Sequence, residues 1–158
     1  MRVLSIDPGL GITGFSILES KAQKIQLIAY GTIKSKTKDS VPERLNYIFQ
    51  EMTKILNKFM PNSLAIEDAF YSNNVKSAMV LGQARGAVIL SGAQAKLPIY
   101  EFAPRKVKMS VCGNGAATKE QVAFMVSRIL QLSEQPKPLD VTDAMAVGIC
   151  FFNQEKLF

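Results

Sequence analysis

A change in hydrophobic period near residue 40 constrains the fold more than any other feature of the sequence. Before it, RVLSID (2–7), TGFSILE (13–19) and KIQLIAYGTI (25–34) are runs rich in Ile, Leu, Phe and Tyr with short connections. They read as three strands of an antiparallel meander. Over 41–59, Leu45, Ile48, Phe49, Met52, Ile55, Leu56 and Phe59 recur at three- and four-residue steps. That is the stripe of an amphipathic helix, and Pro42 suits its first turn. After Pro61, SLAIE (63–67) reads as a buried strand, 75–95 as a helix apolar on more than one face, and PIYEF (98–102) as a fifth strand. A short helix opens at Pro104 and stops near Gly113. Thr118 and Gln121 form a capping box for the next helix, whose inner face is Val122, Met125, Val126, Ile129 and Leu130. The last helix spans about 140–154. The order βββαβαβααα predicts an α/β fold with a five-stranded mixed sheet, an antiparallel meander plus two parallel strands, flanked by helices. With 158 residues and no repeat, linker or low-complexity tract, a single domain over 1–158 is expected.

Composition then limits the chemistry. The chain has no histidine, which excludes a Ser-His-Asp triad, a Cys-His dyad, an HExxH site and any His-ligated metal. A metal here must be held by oxygen, which favours Mg²⁺, Mn²⁺ or Ca²⁺. Cys112 and Cys150 form no CxxC, so neither a disulfide framework nor a zinc finger is expected. The first apolar run is cut at Asp7-Pro8-Gly9, too short for a signal peptide, and none approaches the ~20 residues of a membrane helix. A cytoplasmic protein without a membrane partner is the expectation. Nineteen Lys+Arg against thirteen Asp+Glu give +6, which suits either a polyanion-binding protein or an ordinary basic one.

The carboxylates carry the functional signal. Asp7 ends the first strand before Pro8-Gly9, and Glu67 ends the fourth strand in the same manner; ligands meet open α/β sheets at such ends. Asp140 and Asp143, three apart at the start of the last helix, can share a face. Four clustered carboxylates stay ionised together only with cations beside them, and a pair of Mg²⁺ ions would also activate water for attack on a phosphodiester. Each acid has an ordinary structural reading: a turn residue at Asp7, a solvated pair at Glu67-Asp68, an N-cap at Asp140, a first-turn acid at Asp143. The Asp7-to-Gly14 segment also resembles the phosphate-binding turn of actin-type and sugar-kinase ATPases. Those need two such domains and a second glycine-rich turn, which are not found here.

Asp7-Pro8-Gly9 with Thr13-Gly14, Ile66-Glu67, Leu81-Gly82-Gln83-Ala84-Arg85-Gly86 and Asp140-x-x-Asp143-Ala144-Met145-Ala146 together resemble the RuvC family of bacterial Holliday junction resolvases, from Met1 to about Cys150. The resemblance implies an RNase H-like fold and a homodimer. It implies a crossover junction endodeoxyribonuclease that makes paired symmetric nicks in four-way DNA junctions during recombination and repair. Mg²⁺ would be the cofactor, with Mn²⁺ able to substitute and two ions per site, and a branch-migration motor of the RuvA-RuvB type a partner. By position it implies Asp7, Glu67, Asp140 and Asp143 as metal-binding catalytic acids, Phe70 as the aromatic following the strand-four glutamate, and Lys108 and Lys119 as bases near the scissile phosphate. Some members carry His where this chain has Asp140. Asp68 and Tyr71 depart from the family around Phe70, which bears on base contacts.

Charge placement agrees with a nucleic-acid partner. Setting the four acids aside leaves nine against nineteen bases, a balance of +10. Lys34, Lys36 and Lys38 form one cluster, and Arg105, Lys106 and Lys108 another, leading toward Lys119 at a helix N-terminus; these are expected to meet phosphates. Ala78, Gly82 and Gly86 allow close approach to the 75–95 helix, which is expected at or near a subunit interface, the other reading being a fully buried monomer helix. Phe70 is either a core plug or a stacking platform for unpaired bases. Two further functions remain: an RNase H-like nuclease on another nucleic acid such as precursor ribosomal RNA, and a non-catalytic junction-binding module.

Overall fold

A computed structural model describes residues 1–69 and 73–155. Its elements, in chain order, are β1 (Arg2–Asp7), β2 (Ile12–Lys21), β3 (Lys24–Lys34), α1 (Val41–Phe59), β4 (Ser63–Glu67), α2 (Val75–Gln94), β5 (Ile99–Phe102), α3 (Pro104–Cys112), α4 (Lys119–Ile129) and α5 (Leu139–Glu155). This is the order expected from the period changes. The strands lie in the order β3-β2-β1-β4-β5. β1 pairs antiparallel with β2, and β2 with β3; β1 pairs parallel with β4, and β4 with β5.

Alternation along the central strands divides the core into two layers. Leu4, Ile6, Leu64 and Ile66 pack with Ile48, Met52 and Leu56 of α1 and Ala84 and Val88 of α2. Val3 and Ala65 point the other way, toward Met145, Ala146, Ile149 and Cys150 of α5 and the apolar faces of α3 and α4. α5 lies close on the sheet: a Cβ on Gly148 would stand 2.7 Å from both Leu18 Cδ1 and Ser5 Oγ. The buried Ser5 and Ser16 hydroxyls sit beneath it, 2.6 Å apart, so two small polar side chains satisfy each other where a larger one would not fit.

Local signals explain most element ends. Ser40 and Glu43 cap α1 reciprocally, Thr118 and Gln121 do the same for α4, and Gly113 ends α3 with φ 68, a conformation glycine adopts without steric cost. Two details differ from the sequence expectation. The β2–β3 ladder shifts register between Ile17 and Leu18, leaving Ile28 outside the pairing and exposed, because one strand carries an extra residue. α5 begins at Leu139, so Asp140 lies inside the first turn and not at the cap; the Val141 amide already bonds the Pro138 carbonyl. The 75–95 helix is not fully buried: Val75, Met79 and Leu90 of α2 are exposed.

Candidate active site

β1 and β4 are parallel neighbours, so their C-terminal ends lie side by side and Asp7 and Glu67 leave the sheet together. Both point to the α5 side, in phase with Val3 and Ala65. The turn after Asp7 is fixed by Thr13, whose hydroxyl donates to the Gly9 carbonyl at 2.7 Å and receives the Gly9 amide at 3.2 Å. Gly14 has a different task. It pairs with Asp7 across β1–β2, and a Cβ there would stand 2.1 Å from the Asp140 carbonyl oxygen. Its missing side chain lets the first turn of α5 rest on the strand end beside Asp7.

The result is a cavity of about 340 Å³ lined by Asp7, Glu67, Asp143, Lys108 and Lys119, with Pro8, Leu81, Val107 and Val122 among its apolar walls. Lys119 Nζ lies 3.1 Å from Asp143 Oδ2. Burial pushes the Asp7 carboxyl up to about 8, with Glu67 and then Asp143 adding to the rise. Burial, then Asp143, also raises Glu67, while the hydrogen bond from Asp7 opposes that rise. The Asp7–Glu67 pair therefore holds a proton to higher pH than a lone carboxyl would. Burial raises Asp143 against the pull of Lys119, and Asp143 in turn raises Lys119. Three carboxylates and two lysines leave the cavity short of positive charge when all are ionised.

Not every expected residue is gathered here. Asp140 stands one turn from Asp143, near enough to raise it, but does not line the cavity. Arg105 and Lys106 are exposed and line a separate depression with Met109 and Gln154; the Lys106 ammonium sits 5.5 Å from the Phe102 ring centroid. Lys34 ends β3 and Lys36 and Lys38 follow it, all three exposed. Phe70 and Tyr71 lie outside the described residues. A larger cavity, about 690 Å³, opens between β3 and the ends of α4 and α5, but aliphatic and amide groups dominate it. Sequence reasoning named Leu81 and Arg85 only as parts of a motif, and did not foresee Leu81 as a cavity wall or an ion cluster of Arg85, Asp68 and Glu101 on the opposite side of the β4 end.

The donor set suits a hard divalent cation, being carboxylate oxygen without histidine or thiolate. Among the described residues no three such groups converge closely enough to hold one ion as they stand. Asp143 faces Lys119, and the Asp7–Glu67 pair is raised toward its protonated form. Both arrangements relieve negative charge that a bound cation would otherwise relieve.

A mixed five-stranded sheet with acids at two adjacent strand ends and on the last helix is an RNase H-like fold. The structure of Thermus thermophilus RuvC superimposes with a TM-score of 0.89 at 31% identity, over 99% of this chain and 96% of that one. T. thermophilus RuvC in complex with a Holliday junction substrate gives 0.90 at 28% identity over the same shares. A crossover junction endodeoxyribonuclease RuvC of Halothermothrix orenii is 45% identical over 157 residues, 99% of this chain and 95% of that protein. The family described as crossover junction endodeoxyribonuclease RuvC matches residues 3–151, and the chain belongs to it.

Proposed function

We propose that this protein is a structure-selective endonuclease that resolves four-way DNA junctions by paired symmetric nicks. The observation carrying this reading is the convergence of Asp7, Glu67 and Asp143, from three separate elements, in one cavity with Lys108 and Lys119. A T. thermophilus relative of the same fold is known in complex with a Holliday junction substrate. Asp7, Glu67, Asp143 and, from the adjacent turn, Asp140 would hold divalent cations, Mg²⁺ or Mn²⁺, two per site. Such ions supply an activated water and charge stabilisation for in-line phosphodiester hydrolysis. Ionisation of Asp7 and release of Asp143 from Lys119 ready the acids for that role. Freed Lys119, at the first position of α4, and Lys108 then face the phosphate, one at a helix N-terminus and both as point charges. Arg105, Lys106 and the Lys34–Lys36–Lys38 cluster extend the basic surface to flanking backbone. Phe70 follows Glu67 by three residues and would stack on bases unpaired at the crossover.

Paired nicks require paired sites, which a two-fold dimer supplies. α2 offers the surface: Met79 and Leu90 are 64% and 60% exposed, and a Cβ added at Gly82 or Gly86 would meet nothing within 4 Å. An apolar helix face with small residues at four-residue spacing accepts a second helix at close range. A branch-migration motor of the RuvA-RuvB type remains a proposed partner through family membership. No helix among the described residues is long and apolar enough to cross a membrane, and cytoplasmic action on DNA is the reading adopted.

The deciding experiment compares nicking of a synthetic four-way junction, a linear duplex and an RNA–DNA hybrid in Mg²⁺. Symmetric nicks on the junction alone are expected. Preferential cutting of the hybrid would favour a nuclease of another substrate class, and junction binding without nicking would favour a binding module.

A further inference from the structure

Arg85 lies on the opposite side of the β4 end from the acid cavity. Its Nη2 hydrogen-bonds Glu101 Oε2 of β5 and stands 3.0 Å from Asp68 Oδ1, the residue after Glu67. The Arg85 side chain is only 16% exposed, so these pairs are less screened than surface ion pairs. The Asp68 amide already bonds the Phe102 carbonyl, which joins β4 to β5 without help from Arg85. What the guanidinium adds is a polar tie from α2 to the strand ends. That helix packs on the sheet through Ala84 and Val88, and two further contacts, two turns apart, fix its position against β4 and β5. At Gly92 a Cβ would stand 2.6 Å from Leu64 Cδ2 and 3.4 Å from Ile99 Cδ1; at Arg85 the contact is with Asp68 and Glu101. Leu81, one turn before Arg85 on the same side of α2, walls the acid cavity. Gly82 and Gly86, on either side of Arg85 in the sequence, belong to the open face.

We propose that Arg85 is a positioning residue for the acid cavity: by tying Asp68 and Glu101 to α2, it sets where the Glu67 carboxylate and the Leu81 wall stand. This rests on the reading of Asp7, Glu67 and Asp143 as cation ligands. It gives the Leu81–Gly86 segment a second task, linking the exposed face of α2 to the strand end that carries Glu67.

The test uses the full chain and three variants, Arg85→Ala, Arg85→Lys and Glu101→Gln. Mn²⁺ binding without DNA is read from the electron paramagnetic resonance of free Mn²⁺, and single-turnover nicking of a four-way junction is followed across Mn²⁺ concentrations. Arg85→Ala is expected to weaken Mn²⁺ binding about 10-fold, the scale seen when groups that orient metal ligands are removed. It should slow nicking at low Mn²⁺ and recover most of the rate at saturating Mn²⁺, with junction affinity in Ca²⁺ unchanged. Arg85→Lys keeps the charge and should restore part of the Mn²⁺ affinity; Glu101→Gln leaves the Asp68 pair and should lose the least. If Arg85→Ala fails to fold, the other two variants decide, since Glu101 is about half exposed. Unchanged Mn²⁺ affinity in every folded variant, or a nicking loss that saturating Mn²⁺ does not recover, overturns the proposal. A wild-type chain that binds no Mn²⁺ would instead overturn the reading of the acids as ligands, and this proposal with it.

Discussion

Glu67 and Asp68 are consecutive residues that serve opposite sides of one sheet. Asp68 joins Glu101 around Arg85, two acids sharing one guanidinium. Glu67 joins Asp7 and Asp143 in a cavity where Lys119 holds Asp143 and burial raises the Asp7–Glu67 pair. In the first cluster each acid has the guanidinium as a direct partner, and the cluster acts as a clamp. In the second only Asp143 has a direct cationic partner, and burial raises the proton affinity of its carboxyls. Acids of the same type, at one strand end, differ in role because in only one group does every acid touch a fixed cation.

Removing one carboxylate from each side should separate them most clearly. Asp7→Asn, Glu67→Gln, Asp140→Asn or Asp143→Asn is expected to slow junction nicking by about 100-fold or more, roughly 2.7 kcal/mol of barrier. Junction binding should persist or tighten, because a negative charge facing phosphate is lost. Glu101→Gln on the clamp side should cost only a few-fold. Gel-based nicking and binding assays on one junction check both, and near-normal nicking by any of the four variants removes that acid from the site.

Lys119→Ala comes next. It deletes the partner of Asp143 and a cation facing phosphate, and should slow nicking about 10-fold or more, with junction affinity falling less. A rate within about two-fold of wild type would show that the lysine only balances charge.

The metal-free chain should also carry a pH signature. In the fold Asp7 binds its proton up to about 8, against an ordinary 3.8, and Glu67 is raised as well. The unfolded chain loses these protons first. Their stabilising contribution is complete below pH about 4 and is lost as pH rises toward 8, on the order of a few kcal/mol. Urea unfolding in chelator between pH 5 and 8 checks this, and Asp7→Asn should flatten the slope. Stability that rises with pH through this range would place the proton elsewhere. Smallest of all, Arg105→Ala or Lys106→Ala should weaken junction binding only about two-fold and lower its salt dependence, as phosphate contacts away from the cut do.

The sequence showed much of this because strands and helices differ in period. Leu45 to Phe59 left little choice but a helix, and the apolar runs RVLSID and SLAIE, each closed by an acid, set Asp7 and Glu67 at strand ends. Thr118 and Gln121 placed Lys119 at a helix start. Other features depend on contacts between distant segments. Gly14 was visible as part of a motif, but its reason, the Asp140 carbonyl against it, required α5 to be in place. Arg85, Asp68 and Glu101 come from three elements with no periodic signal joining them. The Ile28 bulge followed from strand pairing alone. The alternative of Asp140 as a cap rests on Asp being common there, whereas Pro138 and Leu139 already begin the turn.

The contrast between a cluster that needs an added cation and one that does not is tested most directly by thermal unfolding at pH 8 of wild type and Asp7→Asn, in chelator and in excess Mg²⁺. In chelator Asp7→Asn is expected to melt higher than wild type, because it removes a buried carboxylate with no fixed counter-charge. In Mg²⁺ wild type should gain stability by mass action and overtake the variant, which has lost a ligand. An unchanged order, with wild type melting higher in chelator and Mg²⁺ moving neither protein, would contradict the assignment of this cavity as a divalent-cation site.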